Sequence, residues 1–279
     1  MSFKKWHKNL YENHDYDDNY TDKTFLKDLK TNKNIKNINF VVATKYATRL
    51  NQQISIVIIF LIIFYKMYMN VLCPKIILIN SSWIVIIGYM VYRKRNYNLN
   101  IIIDDIKTVL SVLIFGYLFS PILHTLTNSI STDKIFSTTF FIMFLHIIFY
   151  DYGISSFIVS KTISLNLAIF GTICLASRLS SSFHAFVLLV VSSEIFVLSP
   201  ILLNEKYILF SSHFVFIVIV IISVYNLYNI SLSLLIIYLL LLLFINIICP
   251  YIYVTQQKYK NNIHGPWDEA IVNDLDEID

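Results

Sequence analysis

The stretch ISLSLLIIYLLLLLFINIICPYIYV, residues 230–254, contains no charged side chain. At 1.5 Å per residue, about 20 apolar residues in a helix match the ~30 Å hydrocarbon core of a bilayer. Lipid offers no hydrogen bonds, so a crossing segment must satisfy its own backbone, which a helix does. Seven further apolar segments precede it, at roughly 52–72, 76–92, 108–123, 135–150, 155–175, 183–201 and 208–226. The ~10-residue alternation of a membrane barrel is absent. The expectation is an all-α integral membrane protein, a polytopic bundle of about eight transmembrane helices. Segments 108–123 and 135–150 are short for a square crossing, and one of them could be re-entrant.

Composition agrees with this class. Hydrophobic residues make up 56% of the chain, charged residues 14%, and mean hydropathy is +0.63; soluble domains carry about 25% charged residues. The organisation expected is a polar N-terminal segment at 1–50, a multispanning domain at 51–254 and a polar tail at 255–279. The first segment lacks an apolar h-region, so no cleavable signal peptide is expected and the first span does the targeting. Its nine Lys and one Arg are mixed with six acids, which does not describe a nucleic-acid-binding arm. The Asn-rich patch at 32–39 reads as coding bias. Cys73, Cys174 and Cys249 are far apart, with no Cys-x-x-Cys pair, and read as small buried apolar residues rather than a zinc or redox site.

Orientation follows from Lys and Arg. With eight spans, 17 basic residues fall on the side of the two termini and three on the other, with Lys66 and Lys161 inside spans. Positive residues stay in the cytosol, so both termini are expected there.

Few patterns suggest chemistry. His146 and Asp151 fit His-x-x-x-x-Asp, in which a carboxylate orients a general base, as in glycerolipid acyltransferases. Five residues on a helix separate them by about 140°, so they meet only if the helix stops between them. Asp15 and Asp17 fit a sugar-nucleotide clamp but lack the surrounding α/β fold. No metal or other cofactor is expected. Lys161, Asn166, Glu194 and His213 lie within apolar segments, where such groups face the bundle and find partners. Lys161–Glu194 is one possible pair, although Lys161 is near enough to an end to snorkel out. Two Ser- and Thr-rich strings stand out, SPILHTLTNSISTDKI (120–135) and SLNLAIFGTICLASRLSSSFHAF (164–186). Ser131 or Thr132 is a candidate cap for the segment that follows the first string. The second holds small residues that permit close helix approach, and its Arg178 ends the fifth span.

These two strings, together with LYENHDYDDNYTDKTFL (10–26), FYDYG (149–153) and NIHGPWDEA (262–270), resemble the PIG-C family in order and spacing. The resemblance runs from about Trp6 to Ala270. It implies a membrane subunit of the complex that transfers N-acetylglucosamine from UDP-GlcNAc to phosphatidylinositol, the first step of glycosylphosphatidylinositol anchor synthesis, at the endoplasmic reticulum. It implies PIG-A-like catalytic and PIG-H-, PIG-P- and PIG-Q-like partner subunits, and no catalytic residue in this chain. Residues in the matching words expected to meet a partner or lipid are Tyr20, Phe25, Asp151, Tyr152, Asn166, Arg178, His264, Pro266, Trp267 and Asp268. Gly265-Pro266 fixes a turn that presents Trp267 to a partner pocket or to the headgroup layer. Arg93, Lys94, Arg95 and Lys206 are further candidates for attracting anionic lipid. The alternative is a lipid acyltransferase using His146 and Asp151.

Overall fold

A computed structural model of the chain describes residues 38–93, 99–125, 129–152, 160–202 and 212–259, together with Asp17, Tyr20, 30–31 and 263–264. The helices in chain order are α1 (Phe40–Tyr68), α2 (Pro74–Arg93), α3 (Leu99–Thr125), α4 (Thr132–Phe149), α5 (Lys161–Ala176), α6 (Ser182–Ser193), α7 (Ser199–Leu202), α8 (Ser212–Ile230), α9 (Leu232–Leu243) and α10 (Cys249–Gln256). The π turns Glu194–Leu198 and Phe244–Ile248 join α6 to α7 and α9 to α10. β1 (Lys30–Thr31) pairs antiparallel with β2 (Ile263–His264), the sole departure from helix among the described elements.

Each of the eight apolar segments overlaps a helix among the described residues. Among the described residues, five helices are long and apolar enough to cross a membrane: Phe40–Tyr68, Asn100–Thr125, Thr132–Phe149, Ser182–Ile201 and Leu232–Tyr259. Pro74–Met90, Lys161–Ala176 and Val215–Ile230 are shorter apolar helices. The segment at 108–123 is not short. It lies inside the 27-residue α3, whose polar start through Asn100, Asp104 and Asp105 was hidden from an apolar window. α1 likewise starts at Phe40, ahead of the expected 52. Its opening turns hold no Gly or Pro, and several of their polar side chains pack inward, so the helix continues past the apolar edge.

Local chemistry ends and bends these helices. Asn70, at φ 55°, closes α1 in the left-handed conformation. Its N–H donates to the Met67 carbonyl and that of Val71 to Lys66, a Schellman-like closure that asparagine tolerates at C′. Pro74 then opens α2, where a missing N–H costs nothing. Both π turns stand just ahead of a proline, Pro200 and Pro250. A proline ring clashes with the carbonyl four residues back and donates no hydrogen bond; widening the helix by one residue accommodates it. Ser160 and Ser181 cap α5 and α6, accepting from the N–H groups of Ile163 and His184 at 3.4 Å each. Ser131 occupies the N-cap of α4 as expected, but its side chain makes no capping bond.

The chain forms two compact units, one of Thr44–Pro250 and one combining Met1–Ala43 with Tyr251–Asp279. In the larger unit, α1, α4, α5 and α6 enclose an apolar centre around Phe60, Met67, Val187 and Leu188. Tyr238, Leu235 and Leu242 pack with Ile62 and Leu227 in a second cluster. In the smaller unit, the N–H of Ile38 donates to Gln257 Oε1, and Gln257 Nε2 returns a bond to the Ile38 carbonyl, both at 2.8 Å.

Candidate functional site

α1 carries a line of polar side chains into the larger unit. Thr48, Asn51, Gln52 and Ser55 recur at helical spacing, and all four are buried with Gln53. Buried polar groups in lipid need partners, and each of the following finds one on another helix. Asn51 Nδ2 donates to the Leu242 carbonyl at 3.4 Å. Ser55 Oγ meets Tyr238 Oη at 2.7 Å. Lys66 Nζ donates to Asn226 Oδ1 at 2.6 Å. α1 is thereby tied to α8 and α9 along its length.

Towards α4 and α5 the network centres on His146, which is 1% exposed. Gln53 Nε2 lies 2.8 Å from His146 Nε2. His146 Nδ1 lies 2.8 Å from the Ser164 carbonyl and 2.9 Å from Ser164 Oγ. The consistent assignment is a neutral imidazole that donates from Nδ1 to Ser164 and accepts at Nε2 from the Gln53 amide. The Phe196 ring, from the first π turn, stands edge-on to His146 at 5.0 Å.

Just beyond the end of α4 the network reaches a polar corner. Arg49 Nη1 donates to the Tyr152 carbonyl at 2.9 Å. Tyr152 Oη donates back to the Ile147 carbonyl at 2.6 Å, one of the carbonyls a helix end leaves unpaired. Tyr150 and Tyr152 pack edge-to-face at 5.1 Å. Lys161 Nζ meets Asp151 Oδ2 at 3.1 Å. Burial pushes the Tyr150 hydroxyl up to about 12; Asp151 adds to this and Arg49 opposes it. Burial, then Tyr150, raises Tyr152 as well. Both phenols stay protonated, and Tyr152 acts as a neutral donor.

This geometry gives the acyltransferase reading no support. α4 does stop between His146 and Asp151, as that reading required, but the two side chains go to different partners. The Nε2 lone pair that a general base would use is occupied by Gln53, and Asp151 pairs with Lys161. The Lys161–Glu194 pair is also corrected: Lys161 is 82% exposed at the start of α5 and pairs with Asp151, while Glu194 opens the first π turn. Snorkelling, not a buried pair, disposes of the lysine.

The two Ser- and Thr-rich strings meet at the opposite end of the bundle. Ser120 Oγ donates to the Ser182 carbonyl, and His124 Nε2 bonds the Leu179 carbonyl at 2.8 Å. The first string thus binds the backbone of the turn made by the second. Arg178 lies half-buried in that turn. Asn166 corrects its expectation, since it stands exposed on the outer face of α5 instead of facing the bundle. Cys174 is buried as expected, but Cys73 is exposed at the α1–α2 turn.

Tyr20 is exposed, its N–H bonded to the Asp17 carbonyl at 2.9 Å. His264 pairs with Lys30 in the strand register, so part of NIHGPWDEA meets the N-terminal arm of its own chain. Phe25, Lys94, Arg95, Lys206, Pro266, Trp267 and Asp268 lie outside the described residues, as do the side chains of Arg93 and His213. Among the described residues, no three His, Cys, Asp or Glu side chains gather as a metal site requires. Sequence reading missed Asn51, Gln53 and Ser55. Their signal was three polar residues within one and a half turns at the mouth of an apolar run.

The family profile GPI2, phosphatidylinositol N-acetylglucosaminyltransferase, matches residues 6–268. The chain is 35% identical to the human C subunit of phosphatidylinositol N-acetylglucosaminyltransferase over 280 residues, covering 97% of this chain and 94% of that protein. It is 38% identical to a Dictyostelium discoideum protein described as a putative C subunit of the same enzyme, covering 96% and 80%. Against the Schizosaccharomyces pombe GPI2 subunit the identity is 29%, covering 96% and 87%. No solved structure matches. With the profile spanning nearly the whole chain and the human protein aligned end to end, the chain belongs to the GPI2 family of phosphatidylinositol N-acetylglucosaminyltransferase subunits.

Proposed function

We propose that this chain is a membrane subunit of a complex that transfers N-acetylglucosamine from UDP-GlcNAc to phosphatidylinositol, beginning glycosylphosphatidylinositol anchor synthesis. Its role is to scaffold the catalytic subunit at the membrane and to present the lipid. End-to-end similarity to the human C subunit carries this reading. The way His146 is used supports a structural role: its two ring nitrogens join α1, α4 and α5. Partners in this reading are a PIG-A-like catalytic subunit and PIG-H-, PIG-P- and PIG-Q-like subunits. The membrane is that of the endoplasmic reticulum, crossed eight times with both termini in the cytosol, as the basic residues favour.

Asn166 supports a lateral partner. Its amide stands exposed among Ile163 and Phe170, 48% and 52% exposed, on a helix read as crossing lipid. An amide there is best satisfied by a polar side chain on a neighbouring helix. The NIHGPWDEA tail is a second docking element, with Trp267 as its anchor. The decisive experiment purifies the chain with and without its partners and assays GlcNAc transfer. Transfer is expected only with the partners, and activity from the chain alone overturns the scaffold role.

A further inference from the structure

An ionisable side chain on an apolar helix that crosses lipid needs a partner. Lys66 is bonded to Asn226, Lys161 to Asp151, and His146 to Gln53 and Ser164. Glu194 differs. It lies half-buried within the candidate span Ser182–Ile201. At 1.5 Å per residue it stands about 18 Å from the start of that helix and about 10 Å from its end. Among the described residues, no Lys, Arg or His side chain forms an ion pair with it. Ser81 of α2 stands beside it, a neutral hydroxyl that bonds the Leu78 carbonyl of its own helix at 3.2 Å.

The local backbone does not call for an acid at this position. Glu194 opens the first π turn ahead of Pro200, and Phe244 opens the second ahead of Pro250 at the same spacing. Phe244 is apolar and 50% exposed. A bulge ahead of a proline therefore forms on an apolar residue as well, and the carboxylate serves another purpose. The neighbouring surface of α2 is polar too. Asn80, next to Ser81, is exposed, and its amide forms no hydrogen bond among the described residues. Around it Ile76, Ile79, Trp83, Ile84 and Ile87 are exposed, an outer face suited to lipid or to another membrane helix. Lipid tails satisfy neither an amide nor a carboxylate.

We propose that Glu194 is an assembly point within the membrane, where a helix of another subunit lays a Lys or Arg side chain against the carboxylate, with Asn80 at the edge of the contact. The proposal rests on the subunit role inferred above and gives the chemistry of one contact within it. The partner is a cation because charge and hydrogen bonding together stabilise a carboxylate held in hydrocarbon. It arrives on a helix because lipid headgroups stay at the interface, whereas a chain that meets lipid at this depth is helical.

The test compares native and variant chains in the detergent-purified complex. Glu194→Gln keeps the size and shape of the side chain and removes its charge. Retention of one partner subunit should fall at least about tenfold. The melting temperature of the isolated variant chain should match that of the isolated native chain, because no ion pair within the chain is lost. A large drop in it would assign Glu194 to the fold and overturn the proposal. Glu194→Lys should abolish retention, and reversing the charge of one membrane-embedded Lys or Arg in the lost subunit should restore it. A photoreactive side chain in place of Asn80, with Glu194 intact, should crosslink to the helix that carries this basic residue. The crosslink stands whether or not the charge variants fold. Full retention by Glu194→Gln, or restoration by no such reversal, overturns the proposal. So does a crosslink confined to lipid or to this chain, or rescue of Glu194→Lys by a basic residue of this same chain. A native chain that brings down no other subunit overturns the functional reading and this proposal with it. A native chain that retains its partners while Glu194→Gln does so equally overturns the proposal alone.

Discussion

α1 and α3 have nearly the same mean hydropathy, yet the fold uses them in opposite ways. Of the most apolar window in each, 56% is buried within the chain for α1 and 6% for α3. α1 sends Asn51, Gln53, Ser55 and Lys66 to specific atoms on α4, α8 and α9. Thr108 and Ser111 of α3 instead bond the carbonyls of Asp104 and Lys107 in their own helix. α3 is fastened mainly near its ends, by Tyr89 to Asp105 and by Ser120 and His124 to the α5–α6 turn. Lipid tails are as apolar as leucine, so burying an apolar face gains little inside a membrane. Polar pairing and close packing decide which helix sits at the centre.

The contrast is open to breakage by substitution. The largest effect is expected from His146→Leu, which strands the Gln53 amide and Ser164 in a buried site. Thermal melting of the detergent-solubilised protein should show a loss of about 2–3 kcal/mol. Ser111→Ala on α3 should stay within about 0.5 kcal/mol of the native chain. Equal losses would mean that α1 is not the organising helix.

Ser120→Ala and His124→Ala come next, at about 1 kcal/mol each, because they free α3 from the turn that anchors it. Amide hydrogen exchange at the C-terminal end of α3 should accelerate in both.

Two helical glycines sharpen the comparison through opposite signs. A Cβ at Gly171 in α5 would stand 2.8 Å from Met143 Cε and 3.3 Å from Ile142 Cγ2. Gly171→Ala should therefore destabilise by about 1 kcal/mol. At Gly116 in α3 the nearest atom is a Phe186 ring carbon at 3.6 Å, ordinary contact. Gly116→Ala should gain about 0.5–1 kcal/mol from helix propensity. Melting temperatures of the two variants report the signs directly.

The smallest effect belongs to Lys161→Ala. The lysine is 82% exposed, so its pair with Asp151 should contribute below about 0.5 kcal/mol, and less as salt is raised. A large loss on melting would mean that the corner holds the fold together rather than sitting on it.

Residues 230–254 already required a membrane helix, because an uncharged run of that length has no other way to satisfy its backbone in lipid. The same logic placed all eight apolar segments on helices, with the largest errors where polar turns extend α1 and α3 beyond their apolar windows. The motif words pointed to the family and included Asp151 and Tyr152. Their partners were not: Lys161 was read against Glu194, and His146 against Asp151. One-dimensional spacing states which groups share a helix face, but these bonds cross between helices. Gln53 against His146 and the outward turn of Asn166 both arise from tertiary packing. Hydropathy sums over a segment and loses direction, whereas a hydrogen bond or a trough depends on which way each side chain points. Apolar run length thus dictated which segments suit a membrane, and the packing of helix on helix dictated what lies at the centre.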